Sequence, residues 1–340
     1  MTLSPLNRRR WENFRRNRRG WWALWILLAL FTVSLFAELI ANDQPIVVSY
    51  KHSLYFPVVK TYPESTFGGT LNSQADYRDS YVAGLINADG WILWPPVRFN
   101  AQTINYNLNV PAPSPPSHEN LLGTDDQGRD VLARVIYGFR ISMLFALVLT
   151  TGGVIIGIMA GALQGYYGGW LDIIGQRFVE IWSGLPMLFM LIILSSIVEP
   201  NFWWLLGIML LFQWLALEGL VRAEFLRGRN LEYVRAARVL GASNRRIMFV
   251  HMLPNSLIST LTFLPFLFSG SIETLTSLDF LGFGLPPGSP SLGELLAQGK
   301  NNLNAPWLGI AGFTTIATLL MLLVFIGEAA RDALDARRQV

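Results

Sequence analysis

The side chains able to do covalent or metal chemistry are few, and their spacing supplies no reaction site. There is no cysteine, which excludes disulfides, thiolate metal sites and thiol nucleophiles. The three histidines, His52, His118 and His251, are dispersed and lack metal-ligand spacing, so no zinc site is expected. Three acids gather at Asp125, Asp126 and Asp130, a composition that suggests a calcium loop. An EF-hand loop closes on a glutamate at its twelfth position, and Ile136 stands there when Asp125 is the first. No H-E-x-x-H or G-x-S-x-G pattern and no credible carboxylate pair occurs, which argues against an intramembrane enzyme.

The informative spacing lies instead in a polar, arginine-rich stretch, Arg222 to His251, suspended between apolar runs. Its chemistry is mechanical. A helix beginning near Leu231 runs through Ala236 and Ala237, whose small side chains admit a close neighbour. Gly241 ends that helix, because glycine enters the left-handed C-cap conformation without a steric penalty. Ser243 is placed to cap a second short helix, and Leu253-Pro254 marks the passage into the next apolar run. Arg235, Ala236, Ala237, Gly241, Ala242 and Arg245 thus form two short helices joined at a glycine elbow, suited to transmitting motion.

The elements that hold this elbow are membrane spans. With 52% hydrophobic and 14% charged residues, the chain is too apolar for an ordinary soluble protein. Six runs are long enough to cross a bilayer as helices: Trp21 to Ala41, Ile141 to Leu163, Phe178 to Val198, Phe202 to Leu220, Leu257 to Ser277 and Leu308 to Ala329. The expected fold is therefore all-α and integral to the membrane. Arginines crowd ahead of the first run, in the 222–254 loop and after the last run, whereas the connection at Glu199-Pro200-Asn201 has none. Positive-inside counting puts both termini and the arginine-rich loop in the cytoplasm. The first run is too long for a cleaved signal core and reads as a signal-anchor. With a net charge of +3, the basic N-terminus fits anionic lipid headgroups and not nucleic acid.

Within the runs, Gly153, Gly157, Gly161 and Gly165 recur at four-residue intervals, which predicts a close helix-packing face, with plain flexibility as the alternative. Gly184-Leu185-Pro186 and Pro265 predict kinks, suited either to a gated path or to packing alone. Glu180 and Glu218 lie near the predicted cytoplasmic ends of their runs and are expected to snorkel to headgroups. Glu273, near the opposite mouth, is a candidate partner for a solute amine. The long segment from Asn42 to about Gly138 has weak strand candidates at Ile46 to Tyr50 and Ile92 to Trp94, and Pro111 to Pro116 reads as a stiff linker. Three roles are open to it: a cap over a pore, a dock for a soluble partner, or a packing insertion. The expected division is 1–41, basic N-terminus and anchor; 42–138, external insertion; 139–330, five-helix core with the arginine-rich loop 222–254; and 331–340, tail. After the linker, Thr124 or Asp125 is expected to cap a helix bearing Arg129, Asp130 and Arg134.

Three stretches resemble one family. Leu122-Gly123-Thr124-Asp125, Gly128-Arg129-Asp130, Arg134 and Tyr137-Gly138 match the segment that opens the core of C-type permeases of dipeptide and oligopeptide ABC importers. Ala236, Ala237, Gly241, Leu253 and Pro254 fall in register with the EAA loop of ABC-importer permeases. Arg235 stands in the glutamate position and His251 in the isoleucine position. Leu278 to Gly284 is similar to their external L-S-F-L-G-x-G turn, with Asp279 in the serine position.

The resemblance implies a type I importer fold of six transmembrane helices, with a periplasmic insertion between the first two. It implies half of a heterodimeric channel for peptides or peptide-like compounds, microcin C among them, in a bacterial inner membrane. It further implies a second permease subunit, an ATPase docked on the elbow and a periplasmic solute-binding protein. The chain has no G-x-x-x-x-G-K-[ST] loop, so it is not itself an ATPase; ATP and magnesium belong to that partner, and no cofactor is expected on this chain. Gly184, Pro186, Pro265 and Glu273 are then candidates for the translocation path. The rival reading is a secondary transporter driven by an ion gradient, which would place ionisable residues near mid-membrane within repeated halves.

Overall fold

A computed structural model of the chain describes residues 5–195, 197–198 and 201–334. Glu199 and Pro200, and Arg337 and Arg338 among the arginines after the last run, lie outside the described residues. The chain opens with helices α1 (Pro5–Arg16), α2 (Arg18–Leu35) and α3 (Ala37–Ile40). A small mixed region follows, with strands β1 (Val47–Tyr50) and β2 (Ser53–Tyr55), helix α4 (Ser80–Asp89) and strand β3 (Gly90–Leu93). The strands form an antiparallel sheet in the order β2-β1-β3, with Val48 opposite both Tyr55 and Ile92. Both strand expectations are met. Val48, Tyr50, Phe67, Tyr77, Val82 and Ile86 fill a separate core beneath the sheet.

The remainder is helical: α5 (Val131–Tyr167), α6 (Gly169–Ser183), α7 (Met187–Ser195), α8 (Phe202–Gln213), α9 (Leu215–Gly228), α10 (Glu232–Val239), α11 (Asn244–Arg246), α12 (Leu253–Phe280), α13 (Leu292–Asn301) and α14 (Pro306–Leu334). A six-residue π-helical segment, Ile247–Met252, joins α11 to α12. Among the described residues four helices are long and apolar enough to cross a membrane: Val131–Tyr167, Phe202–Gly228, Thr260–Phe280 and Pro306–Leu334. A fifth span is present if α6 and α7 count as one, despite a 69° bend between them.

Several boundaries differ from expectation, each for a local reason. The run Phe178 to Val198 is not one straight helix, because Gly184-Leu185-Pro186 interrupts it. The first span is interrupted at Phe36, so α2 covers eighteen residues and not the full Trp21 to Ala41. Helix α5 begins at Val131, because Asp130 and not Thr124 or Asp125 caps it: the Asp130 Oδ1 accepts the Ala133 N–H at 2.7 Å. The loop 222–254 is shorter than expected, since α9 continues to Gly228 and Leu253 already belongs to α12. Pro265 sits inside α12, which runs on through it; the Ser269 hydroxyl donates to the Pro265 carbonyl at 3.0 Å. The linker at 111–116 is pinned back on the chain, with Ser114 and Thr124 exchanging two hydrogen bonds of 2.8 and 2.9 Å.

Candidate functional site

The 229–254 elbow is built as its glycine demands. Helix α10 ends at Val239 with Leu240 as its C-cap, and Gly241 follows with φ +82°. The Gly241 N–H donates to the Arg238 carbonyl and the Ala242 N–H to the Ala237 carbonyl, both at 3.0 Å, which is the paired Schellman arrangement. Ser243 Oγ then accepts the Arg246 N–H at 3.4 Å and opens α11.

One face of this elbow is anchored and the other is bare. Val234 is fully buried among Tyr166, Phe225, Ile247, Met248 and Met252, with Ala237, Ala242 and Leu253 partly buried against the same cluster. Tyr166 at the end of α5 donates its hydroxyl to Asn244 Oδ1 at 2.7 Å. Outward lie Arg235, Ala236, Arg238, Gly241, Arg245 and Pro254, together with Val239 and Leu240, which are 88% and 86% exposed. Two large apolar side chains held in the open beside several guanidinium groups form a surface that can be covered by another protein.

The anchored face leads into a close-packed seam. A methyl group added at Gly157 would lie 2.7 Å from the Trp214 carbonyl oxygen, one at Gly161 2.5 Å from that of Glu218, and one at Gly165 2.5 Å from that of Arg222. Gly153 meets the Gln213 side chain at 2.6 Å on the same measure. The four glycines thus bring α5 onto the backbone of α9 and its approach, within this one chain.

Polar residues beside the seam tie in α6. Gln176 donates its amide to Gln164 Oε1 at 2.9 Å and to Glu218 Oε1 at 3.0 Å. Arg222 grips Asp172 through both carboxylate oxygens, the Nη2–Oδ2 distance being 2.9 Å. Glu218 is therefore buried and not snorkelling, because an amide donor inside the bundle compensates its burial. Glu180 does stand exposed, paired with Arg177 at 2.5 Å. Nearer the middle of the bundle, Ser271 Oγ lies 3.0 Å from Thr150 Oγ1 and accepts from Gln213 Nε2 at 3.0 Å. Sequence reasoning named Glu218 but missed its partners and the Thr150–Ser271–Gln213 group. Their signal was present in Asp172/Gln176 and Glu218/Arg222, two polar pairs each spaced one helical turn apart.

The other candidates are more scattered. Gly184 and Pro186 mark the bend between α6 and α7. Pro265 borders an apolar cavity of 490 Å³ with Phe31, Met143, Thr150 and Phe268. Glu273 is exposed on α12 and makes no ion pair among the described residues.

At the far end of α5 a buried charge cluster joins three parts of the chain. Arg134, with no exposed surface, contacts Glu294 Oε2 at 2.6 Å, Asp125 Oδ2 at 3.4 Å, the Ser289 carbonyl at 3.0 Å and the Ala101 carbonyl at 3.1 Å. Arg129 holds Asp125 at 2.6 Å and Glu294 at 3.2 Å. Burial pushes the Asp130 carboxyl above its ordinary value, although the Asn120 amide opposes this. Asp279 staples the neighbouring turn, accepting the Leu285 N–H at 2.7 Å and the Ser291 hydroxyl.

These features coincide with a known pattern of sequence. Residues 153–340 match the family model described as binding-protein-dependent transport system inner membrane component, and residues 4–56 match that of the N-terminal TM domain of oligopeptide transport permease C. The chain is 62% identical to the inner membrane ABC transporter permease protein YejE of Escherichia coli K12, over 99% of both chains. It is 55% identical to the peptidoglycan transport system permease protein YejE of Agrobacterium fabrum, covering 99% of this chain and 94% of that one. The oligopeptide transport system permease protein OppC of Lactococcus lactis is 34% identical over 66% of this chain and 78% of its own length. A family model spanning more than half of the chain, and relatives matched from end to end, establish that the protein belongs to the binding-protein-dependent inner membrane permeases of ABC transport systems.

Proposed function

We propose that this chain is one permease subunit of an ATP-driven importer for peptides or peptide-like solutes, the class named in its YejE and OppC relatives. The observation that carries the reading is the elbow itself. Its outer face presents Val239 and Leu240 among exposed arginines, while its inner face is locked through Val234 to the glycine seam. A separate ATPase closing on Arg235 to Arg245 moves α10 and α11, and the packed cluster passes that displacement to α5 and α9. ATP and magnesium act in that partner. In this arrangement α2 and the α6–α7 pair complete six spans, with both termini and the elbow in the cytoplasm. The region between α2 and α5 then faces the periplasm, where a solute-binding protein delivers its cargo, and a second permease completes the path. The basic N-terminal helix lies against anionic lipid headgroups. Membership of this family favours ATP over an ion gradient as the driving force.

The test is mass spectrometry of proteins that co-purify with the C-terminally tagged chain, extracted in mild detergent from its native membrane. Recovery of an ATPase and a second permease is expected, with the ATPase lost when Gly241 is replaced. A folded, transport-active preparation that contains no ATPase would overturn the reading.

A further inference from the structure

Two polar clefts indent the region between α2 and α5, one of 800 Å³ and the other of 720 Å³, and they meet at Tyr77, Arg78 and Asn107. Both volumes fall in the range of about 300 to 1,000 Å³ usual for small-ligand sites. Their charges are of mixed sign and left unneutralised. Arg78 is half-buried, its guanidinium stacked 4.3 Å from the centroid of buried Phe99, and it makes no ion pair or side-chain hydrogen bond among the described residues. On the 800 Å³ side stand Asp43 and Asp79, each with one carboxylate oxygen committed, to Thr103 at 2.7 Å and to the Tyr81 N–H at 2.9 Å. The second oxygen of each has no partner among the described residues. A guanidinium held on an aromatic face keeps its edge N–H groups available for a carboxylate.

From this juxtaposition we propose that the paired clefts are a peptide-binding site on the permease itself, with Arg78 receiving the C-terminal carboxylate and Asp43 and Asp79 the N-terminal ammonium. A short zwitterionic peptide matches both charge signs, and either cleft has room for it. The proposal rests on the peptide-importer reading for its choice of ligand, but it places a solute contact outside the helical bundle. In that position the site holds cargo before it enters the path between the spans.

The experiment is isothermal titration of the purified full-length chain with trialanine, trialanine amide and N-acetyl-trialanine. Trialanine is expected to bind, and C-terminal amidation or Arg78→Gln to weaken binding roughly 10- to 100-fold, the range for losing one charge-assisted contact. In Arg78→Gln the amide and the free acid should bind alike. Failure of trialanine to bind at millimolar concentration, or equal binding of acid and amide to the unaltered chain, would overturn the site. The second outcome needs no variant, so a misfolded Arg78→Gln does not blunt the test. Peptide uptake by the reconstituted transporter is measured alongside. Uptake without binding removes the site and leaves the importer, whereas Arg78-dependent binding without any ATP-driven uptake removes the importer and leaves the site.

Discussion

Gly161 and Glu218 touch backbone to backbone: a single methyl on the first would lie 2.5 Å from the carbonyl oxygen of the second. No rotamer change relieves that contact, because neither group is a mobile side chain. Gly161→Val is expected to destabilise the chain by at least the roughly 1–3 kcal/mol typical of overpacking. Gly219, on the same α9, has nothing within 4 Å of its added methyl, so Gly219→Ala should stay within about 0.5 kcal/mol. Thermal unfolding in detergent, compared between the two variants, measures the seam; equal effects would show that α5 and α9 do not pack this way.

Gly241 presents the opposite case, since its added methyl meets open space and only its φ of +82° resists substitution. Gly241→Val should cost about 1–2 kcal/mol locally and abolish uptake while leaving membrane insertion intact. Gly241→Asn, which tolerates this conformation better, should retain partial uptake. Normal transport by the valine variant would remove the elbow from the mechanism.

Arg134 ties Asp125 and Glu294, both also held by Arg129, to two backbone carbonyls at the head of α5. Arg134→Gln leaves buried Asp125 and its neighbour Glu294 with Arg129 alone as counter-charge and removes a buried cation's contacts to two carbonyls, at an expected cost of up to roughly 3–5 kcal/mol. Arg177→Ala breaks only the exposed pair with Glu180 and should cost less than about 1 kcal/mol. Chemical denaturation of the two variants separates them.

The Asp130 carboxyl, raised by burial above its ordinary 3.8, makes stability depend on pH. A raised folded-state value means that the protonated acid is favoured in the folded chain. Its stabilising contribution is complete below the ordinary value and is lost as pH rises through the folded one. Asp130→Asn keeps a capping oxygen for Ala133 but cannot titrate. The difference in melting temperature, unaltered chain minus variant, should therefore fall as pH is raised from 3 towards neutrality, about the window set by that shift. A flat difference would refute the buried, strained ionisation of this cap.

What was legible in the sequence follows from what is local. The elbow could be read because a Schellman stop depends on Gly241 and the few residues around it, and the seam because a four-residue glycine repeat faces one way on any helix. The break at Gly184-Leu185-Pro186 was equally local, but its 69° angle was not, since bend angle depends on what the two halves pack against. Glu218 was misjudged for the same reason. Position along the span suggested a headgroup contact, and only the fold reveals Gln176 beside it, 42 residues away in sequence. Glu294 went unnoticed because its two arginine partners lie 160 or more residues earlier.

Helix α5 runs unbroken for 37 residues, about 55 Å, from the Arg134 cluster to the Tyr166 contact with the elbow. Among the described residues no proline interrupts it, so its two extremities belong to one continuous rod of helix. Tilting that rod by about 5° around one end carries the other through about 5 Å, close to a full helical turn. A displacement at the Tyr166 end is then carried to the Arg134 end, so two clusters that share no contact answer to one movement.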